Sequence, residues 1–203
     1  MWRRGEEGEA RDQRQDVLGY MYVCACVRAP SGAGPVDENS LRDNPNDVSS
    51  QWRAGYLLYS FNSDEKEARR RECVERAARS DTVVGQVAQA FCMVKGWERG
   101  RDKPGAVRLL GELVATTASP DAQHLLGVCY DEGWGVQKNE AEAVRLWALA
   151  AEQGHALAQY ELGYCYFYGK RGLQQDLVKA RQLYQQAAAQ GHTQAIGMLA
   201  AMK

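Results

Sequence analysis

Between Asp121 and Gly191 the chain states one pattern twice, and that repetition constrains the fold more than any single residue does. The run from Ala122 through His124, Gly127 and Tyr130 to Val136 is answered by the run from Ala158 through Tyr160, Gly163 and Tyr166 to Leu173. The run from Asn139 to His155 is answered in the same way by Asp176 to His192. Gly127 and Gly163 are 36 residues apart, and Ala143 and Ala180 are 37 apart. A fixed period of that size marks a stacked helical array, in which each unit is one pair of helices that cannot bury its apolar face alone.

The period extends upstream in weaker copies. Asp64, Asp102, Asn139 and Asp176 follow one another at 38, 37 and 37 residues. Each can begin a helix, because its side-chain oxygen accepts an otherwise unpaired backbone N–H of the first turn. Glu67 and Glu142, three residues on, suggest capping boxes, and Pro104 occupies a first turn, where proline is tolerated. Ala68, Ala106, Ala143 and Ala180 come four residues after each start. The other helix of each unit is marked by a small residue, Ala54, Ala90, Gly127, Gly163 and Ala200, at spacings of 36, 37, 36 and 37. A small side chain at a helix crossing lets the paired helix approach closely. Gly96, Gly133 and Gly169 are expected to end first helices, and Gly154 and Gly191 second helices.

The expected fold is all-α, a right-handed α-solenoid of stacked antiparallel helix pairs with an N-terminal helix and loop. Residues 48–203 form the array, about four pairs beginning near 48, 82, 119 and 156, closed by a capping helix over about 192–202 whose apolar side faces inward. Residues 1–47 form an extension: a mobile start, a lid helix over 14–27 whose Leu18-Gly19 echoes the repeat, and a loop over 28–47. On the helix over 64–79, Glu65–Arg69, Glu67–Arg71, Glu72–Arg76 and Glu75–Arg79 are spaced to pair across one turn, so Arg69 to Arg71 read as a solvated, ion-paired face.

Composition excludes several classes. A formal net charge of −1 gives no bulk attraction to nucleic acid or to an anionic membrane. The longest apolar run, Val17 to Val27, is 11 residues, short of the roughly 20 that cross a bilayer. Acidic residues directly after Arg3 and Arg4 argue against a targeting peptide, and the expected location is a reducing intracellular compartment, cytoplasm or mitochondrion. Cys92, Cys129 and Cys165 recur at 37 and 36 residues. They therefore occupy one position in successive units, where helix spacings of about 8–10 Å exceed disulfide reach. They read as packing residues. Cys24 and Cys26 lie on an apolar segment with too few neighbouring ligands for a metal. No metal or cofactor is expected.

The sequence Ala-x-Ala-Gln-x-x-Leu-Gly-x-x-Tyr-x-x-Gly, then Gly-Val, Asn or Asp, Ala, an aromatic and Ala-Ala-x-Gln-Gly-His, resembles the Sel1-like repeat, a relative of the tetratricopeptide repeat. The likeness is specific over residues 119–200 and weaker over 48–118. The chain departs from the pattern at Ala90, in place of the repeat's glycine, over Gly100 to Gly105, and at Lys170-Arg171, where one loop is a residue longer. Where one branch of the family pairs cysteines, this chain has Ala151 with Ala158 and Ala188 with Ala195.

The resemblance implies a non-enzymatic scaffold or adaptor, a subunit of a larger assembly. It would bind protein partners through a concave face lined by the first helix of each pair; charge and hydropathy add the expectation of no nucleic-acid partner and no transmembrane span. Carried over, that face comprises Gln51, Val87, Phe91, His124, Val128, Asp131, Tyr160, Tyr164 and Phe167. Tyr160, Tyr164 and Phe167 share one helical stripe, which serves either as an aromatic recognition surface or as intramolecular core. The alternative function is a hydrolase-like or β-lactam-binding activity of the kind claimed for some bacterial repeat relatives. It would need a nucleophile with a positioned base, and no such motif occurs. His155 and His192 fall in the repeat's Gln-Gly-His turn, Asp131-Glu132 at a solvated loop, and Trp134 at a packing or contact position. Replacing Gly163 with Leu should overpack a helix crossing and cost about 1–3 kcal/mol, which a melting temperature would register.

Overall fold

The computed structural model describes residues 64–97 and 101–202, together with Val48 and Trp52. The N-terminal extension over 1–47, Gln51 and Ala54 lie outside the described residues. So does most of the first helix of the first pair, although Val48 and Trp52 are helical positions in it.

Among the described residues eight helices follow in chain order: α1 (Asp64–Ala77), α2 (Val83–Lys95), α3 (Lys103–Thr117), α4 (Pro120–Glu132), α5 (Glu140–Glu152), α6 (Ala156–Tyr168), α7 (Leu177–Ala189) and α8 (Thr193–Ala201). Each packs on the next, and the two first helices α2 and α4 also touch. The fold is an all-α solenoid of stacked helix pairs, with the starts and ends that the period predicts. None of the described helices is long and apolar enough to cross a membrane.

Helix starts follow two interleaved series of caps. Asp102, Asn139 and Asp176 open the second helices, accepting from Gly105, Glu142, and Val178 and Lys179 respectively. Thr82, Ser119, His155 and His192 open the first helices, accepting from Gly85, Ala122, Ala158 and Ala195. This second series also keeps the period, although the capping atom changes from a hydroxyl to an imidazole nitrogen. The capping box at Asn139 is only half made. Its side chain accepts from Glu142 N, but its own N–H donates to Tyr130 O at 2.9 Å, and the Glu142 carboxylate turns to Arg145 at 2.6 Å. Gly96, Gly133 and Gly169 close first helices in the left-handed region at φ 77°, 70° and 62°. Gly154 and Gly191 lie two residues beyond the ends of α5 and α7, also in the left-handed region, at φ 85° and 86°.

The crossing within each pair is where small residues matter. A Cβ added to Gly127 would lie 2.5 Å from Trp147 Nε1, and one added to Gly163 would lie 2.9 Å from Tyr184 Cε1. Neither distance is tolerable, so the aromatic rings rest on bare backbone. Trp147 and Tyr184 are fully buried there, and the Trp147 N–H donates to His124 O at 3.3 Å. In the pair α2–α3 the equivalent residues are Ala90 and Leu110, both fully buried. The glycine that the pattern lacks at Ala90 is matched by a smaller knob, so the departure is compensated.

Two expected small positions behave otherwise. Ala68 and Ala200 are exposed. On α8, Ala195 is buried while Ile196, Gly197 and Ala200 are exposed, so the capping helix shows apolar residues outward as well as inward. On α1, Arg76 pairs with Glu72 at 2.7 Å as expected, whereas Arg71 is on Glu75 at 2.5 Å. The side chains of Glu65, Glu67 and Arg69 lie outside the described residues.

Cys92, Cys129 and Cys165 are buried, unbridged thiols. Burial pushes Cys129 up to about 12 and Cys165 up to about 11, as befits small packing groups. Ala151 and Ala158 share one apolar cluster, and Ala188 packs on the cluster that holds Ala195. Replacing Gly127 with Ala should drive Trp147 off its seat and lower stability by about 1–3 kcal/mol. The double variant Gly127→Ala/Trp147→Leu, which copies Ala90 and Leu110, should recover part of that loss; thermal melts of the three proteins test both statements.

Candidate partner-binding surface

The residues expected on an open inner face divide sharply by exposure. Val87, Phe91, His124, Val128, Asp131 and Tyr160 are at most 5% exposed, so in this chain they are interior rather than on an open face. Tyr164 and Phe167 are partly exposed. Gln51 lies outside the described residues.

Each buried polar member has an identifiable task. His124 lies against His155, ring centres 4.9 Å apart, and in the next unit Tyr160 stacks on His192 at 4.6 Å with planes 19° apart. The residue three before the small position therefore rests on the imidazole that caps the following unit. That imidazole uses Nδ1 as the acceptor, from Ala158 N at 3.2 Å for His155 and Ala195 N at 3.3 Å for His192. An acceptor at Nδ1 requires the tautomer with its proton on Nε2, and His155 Nε2 faces Asp121 Oδ1 at 3.5 Å. Asp121 also accepts from Trp52 Nε1 at 3.4 Å. One carboxylate thus links the first unit, the start of α4 and the cap of α6. Desolvation acts to raise the Asp121 pKa, but the hydrogen bond and charge of His155 and the bond from Trp52 prevail and hold it down to about 2. Burial pushes His192 down to about 4 and His124 well below the usual imidazole range.

Asp131 departs furthest from expectation. It sits in the last turn of α4, 3% exposed, rather than in a solvated loop. Arg171 reaches it from the α6–α7 loop with both Nε and Nη2, the latter at 2.6 Å from Oδ2. The same guanidinium lies 5.2 Å from the centre of the Trp147 ring and donates to Cys165 Sγ at 3.5 Å. Arg171 belongs to the longer loop and adopts φ 56°. Beside this pair lies Glu161, only 7% exposed. Desolvation, reinforced by Asp131 and Glu132 and opposed by Arg171, pushes Glu161 up to about 8. Glu132 is raised as well, chiefly by desolvation.

Outside this buried network the side of α6 toward its C-terminus carries an accessible group. Tyr164 and Tyr168 contact each other with centres 4.6 Å apart, and Phe167 meets Tyr168 edge-on at 4.7 Å. Lys170 Nζ lies 4.9 Å and 5.2 Å from the two tyrosine rings and bonds Tyr164 Oη at 3.0 Å. Tyr168 is 49% exposed. The expected stripe therefore splits: Tyr160 belongs to the interior, while Tyr164 and Phe167 join Tyr168 and Lys170. Sequence reasoning missed Tyr168 and Lys170, although the four-residue spacing of Tyr164 and Tyr168 was there to find. A second cation–aromatic group surrounds Trp134, whose ring has Lys95 Nζ at 5.8 Å and Lys103 Nζ at 5.4 Å. Trp134 is accordingly a contact residue between units. Among the described residues no group of three or more His, Cys, Asp or Glu side chains is placed to hold a metal.

Two consecutive segments, residues 120–155 and 156–192, match the Sel1 repeat. Among solved structures, the chain is similar to a Sel1 repeat protein from Oxalobacter formigenes, with 30% identity and a TM-score of 0.50 over 59% of this chain and 89% of that one. It is also similar to a protective antigen of uropathogenic Escherichia coli that displays an SLR fold, with 29% identity and a TM-score of 0.55 over 84% of this chain. The match spans 36% of the antigen's length.

Two measurements test the buried charges. Arg171→Ala should strand the Asp131 carboxylate and cost about 3–5 kcal/mol, and Arg171→Ala/Asp131→Leu should restore much of it, as a double-mutant cycle of melting free energies would show. Glu161 keeps its proton in the folded chain up to about pH 8, whereas an unfolded glutamate loses it near 4.3. Its contribution is therefore complete below pH 4 and is lost as pH rises toward 8. Glu161→Gln should raise the melting temperature by several degrees at pH 8 and change it little at pH 4.

Proposed function

Because the chain belongs to the Sel1 repeat family, whose members are in general protein-interaction scaffolds and typically not enzymes, we propose that it is a non-enzymatic adaptor that holds protein partners in a larger assembly. The observation that carries this reading is the accessible group on α6. Tyr164, Tyr168 and Phe167 offer large, stiff apolar area, of the kind that anchors protein contacts at low entropic cost, and Lys170 sets a positive charge over the rings. A partner segment suited to it presents an apolar side chain to Tyr168 and a carboxylate to Lys170.

The buried first-helix residues take an indirect part. His124, Asp131 and Tyr160 hold α4 and α6 against their neighbours and so fix where the α6 surface faces. The formal net charge of −1 supports proteins rather than nucleic acid as partners.

The test is co-purification from native extract of the organism that supplies the chain. Wild-type protein should elute in an assembly larger than its own 22.6 kDa and retain a reproducible set of proteins. Tyr168→Ala/Lys170→Glu should reduce their recovery at least tenfold while leaving the melting temperature within about 2 °C, because both side chains are exposed. Retention of every partner by the double variant would refute the α6 surface. Stoichiometric covalent labelling by a reactive β-lactam probe would refute the non-enzymatic reading.

A further inference from the structure

Glu161 stands where the preceding units are apolar. Two residues before the small position of each first helix come Ala88, Leu125 and Glu161, and the first two are core residues. Glu161 is only 7% exposed, yet among the described residues no hydrogen bond or ion pair reaches its carboxyl. The cation that acts on it is Arg171, which already engages both oxygens of Asp131. Glu132, beside it and partly exposed, has no ion pair among the described residues either. Three carboxyl groups, from Asp131 and Glu132 at the end of α4 and from Glu161 within α6, therefore face one guanidinium. The Glu161 oxygens reach solvent, unlike Tyr184 Oη and the Nε2 atoms of His124 and His192, which are sealed without a partner. Among the described residues these donors are not placed for a metal ion, which leaves an organic cation to complete the charge.

We propose that Glu161, with Glu132 beside it, receives an arginine side chain of a partner protein. The chain itself supplies the template. Arg171 meets Asp131 with two nitrogens while its guanidinium lies 5.2 Å from the centre of the Trp147 ring. A guanidinium is more weakly hydrated than an ammonium, so it suits a carboxyl that is almost closed off. Tyr164 and Tyr168 follow Glu161 by three and seven residues, on the same side of α6. An arginine at Glu161 therefore lies about 10 Å along the helix from the apolar side chain that meets Tyr168. That placement rests on the reading of α6 as the partner surface; the subsite at Glu161 does not. Glu161 is neutral in the free chain and loses its proton to solvent as the guanidinium arrives. The groups that face it are Asp131 and Glu132 from α4, Arg171 from the α6–α7 loop, Tyr160 and Cys165 on α6 and Tyr184 on α7. Burial keeps the last three protonated, and the guanidinium stays charged. Affinity should therefore rise with pH as Glu161 ionises toward 8.

The probe is N-acetyl-arginine N-methylamide, titrated into the full 203-residue chain labelled with nitrogen-15 and followed by its amide resonances. At pH 8 the probe should produce saturable shifts confined to the amides around Glu132, Glu161 and Arg171. Its affinity should be at least tenfold weaker at pH 6, where Glu161 holds its proton. Glu161→Gln should weaken it at least tenfold at pH 8, and so should Glu161→Leu, which copies Leu125 and keeps the core filled. Tyr168→Ala should leave probe binding unchanged, so a failure of the α6 surface in co-purification and a failure of this subsite are read separately. Absence of saturable shifts, shifts spread over surface carboxylates, or equal affinity at pH 6 and 8 would overturn the proposal. Undiminished binding to both Glu161 variants would do the same.

Discussion

A unit of two short helices has apolar residues on more sides than its own partner helix can cover, and everything else in this chain follows from how closely the two helices of a unit can approach. The contact of Trp147 over Gly127 and Tyr184 over Gly163 sets that approach. With the rings seated on bare backbone, the remaining apolar residues of each pair turn toward the next pair, and the core forms as successive clusters along the array rather than one central mass. Ala90 with Leu110 solves the same steric problem with different parts. The constraint is therefore on the sum of two side chains across a crossing, not on either residue, which is why a departure from the repeat pattern at one of them leaves the architecture intact.

Polar links supplement that apolar stacking between units, and they use the groups that a helix start leaves unsatisfied. His155 and His192 accept a backbone N–H with one nitrogen and present a flat ring to the preceding unit, where His124 and Tyr160 receive it. A serine or threonine cap, as at Thr82 and Ser119, satisfies the N–H but offers no ring. The switch from hydroxyl to imidazole along the array thus adds a stacking contact between units without altering the helix boundary. Its consequence at the second of these caps is a buried imidazole that must stay neutral: His192 is pushed down to about 4, so its contribution is present above the unfolded value near 6.5 and is lost as pH falls toward 4. Glu161 works in the opposite direction, its contribution falling as pH rises toward 8, so the two changes oppose each other where both groups titrate.

The fold was legible because its signal is periodic. Gly96, Gly133 and Gly169 could be assigned to helix ends, and Asp102, Asn139 and Asp176 to helix starts, from spacing and residue type alone. What spacing could not reveal is which side of a first helix stays open. His124, Val128, Asp131 and Tyr160 flank the small position just as a groove-lining residue would, and only contacts with neighbouring units show them to be interior. His155 and His192 were recognised as periodic but not as caps, because imidazole is an uncommon acceptor at that place. Arg171 was hidden for a different reason. It stands in the loop that breaks the period, so a reading built on equivalence between units registers it as an extra residue and has no counterpart from which to infer its task.

Those unmatched residues solve a problem that near-identical units create. If every crossing had the same small residue and the same knob, one unit could pack on the wrong neighbour or exchange with its equivalent in another molecule at little cost. The apolar terms favour stacking but scarcely distinguish one order from another. A buried ion pair adds little net stability, since desolvation offsets most of the attraction, yet it penalises heavily any arrangement that leaves one charge unpaired. Arg171 on Asp131 does this between the second and third complete pairs, while Asp121, bonded by Trp52 and facing His155, adds a polar link across the units before them. Leu110 over Ala90 adds a steric distinction, because Trp147 could not occupy that seat. The periodic residues make the array possible, and the residues that depart from the period specify its order.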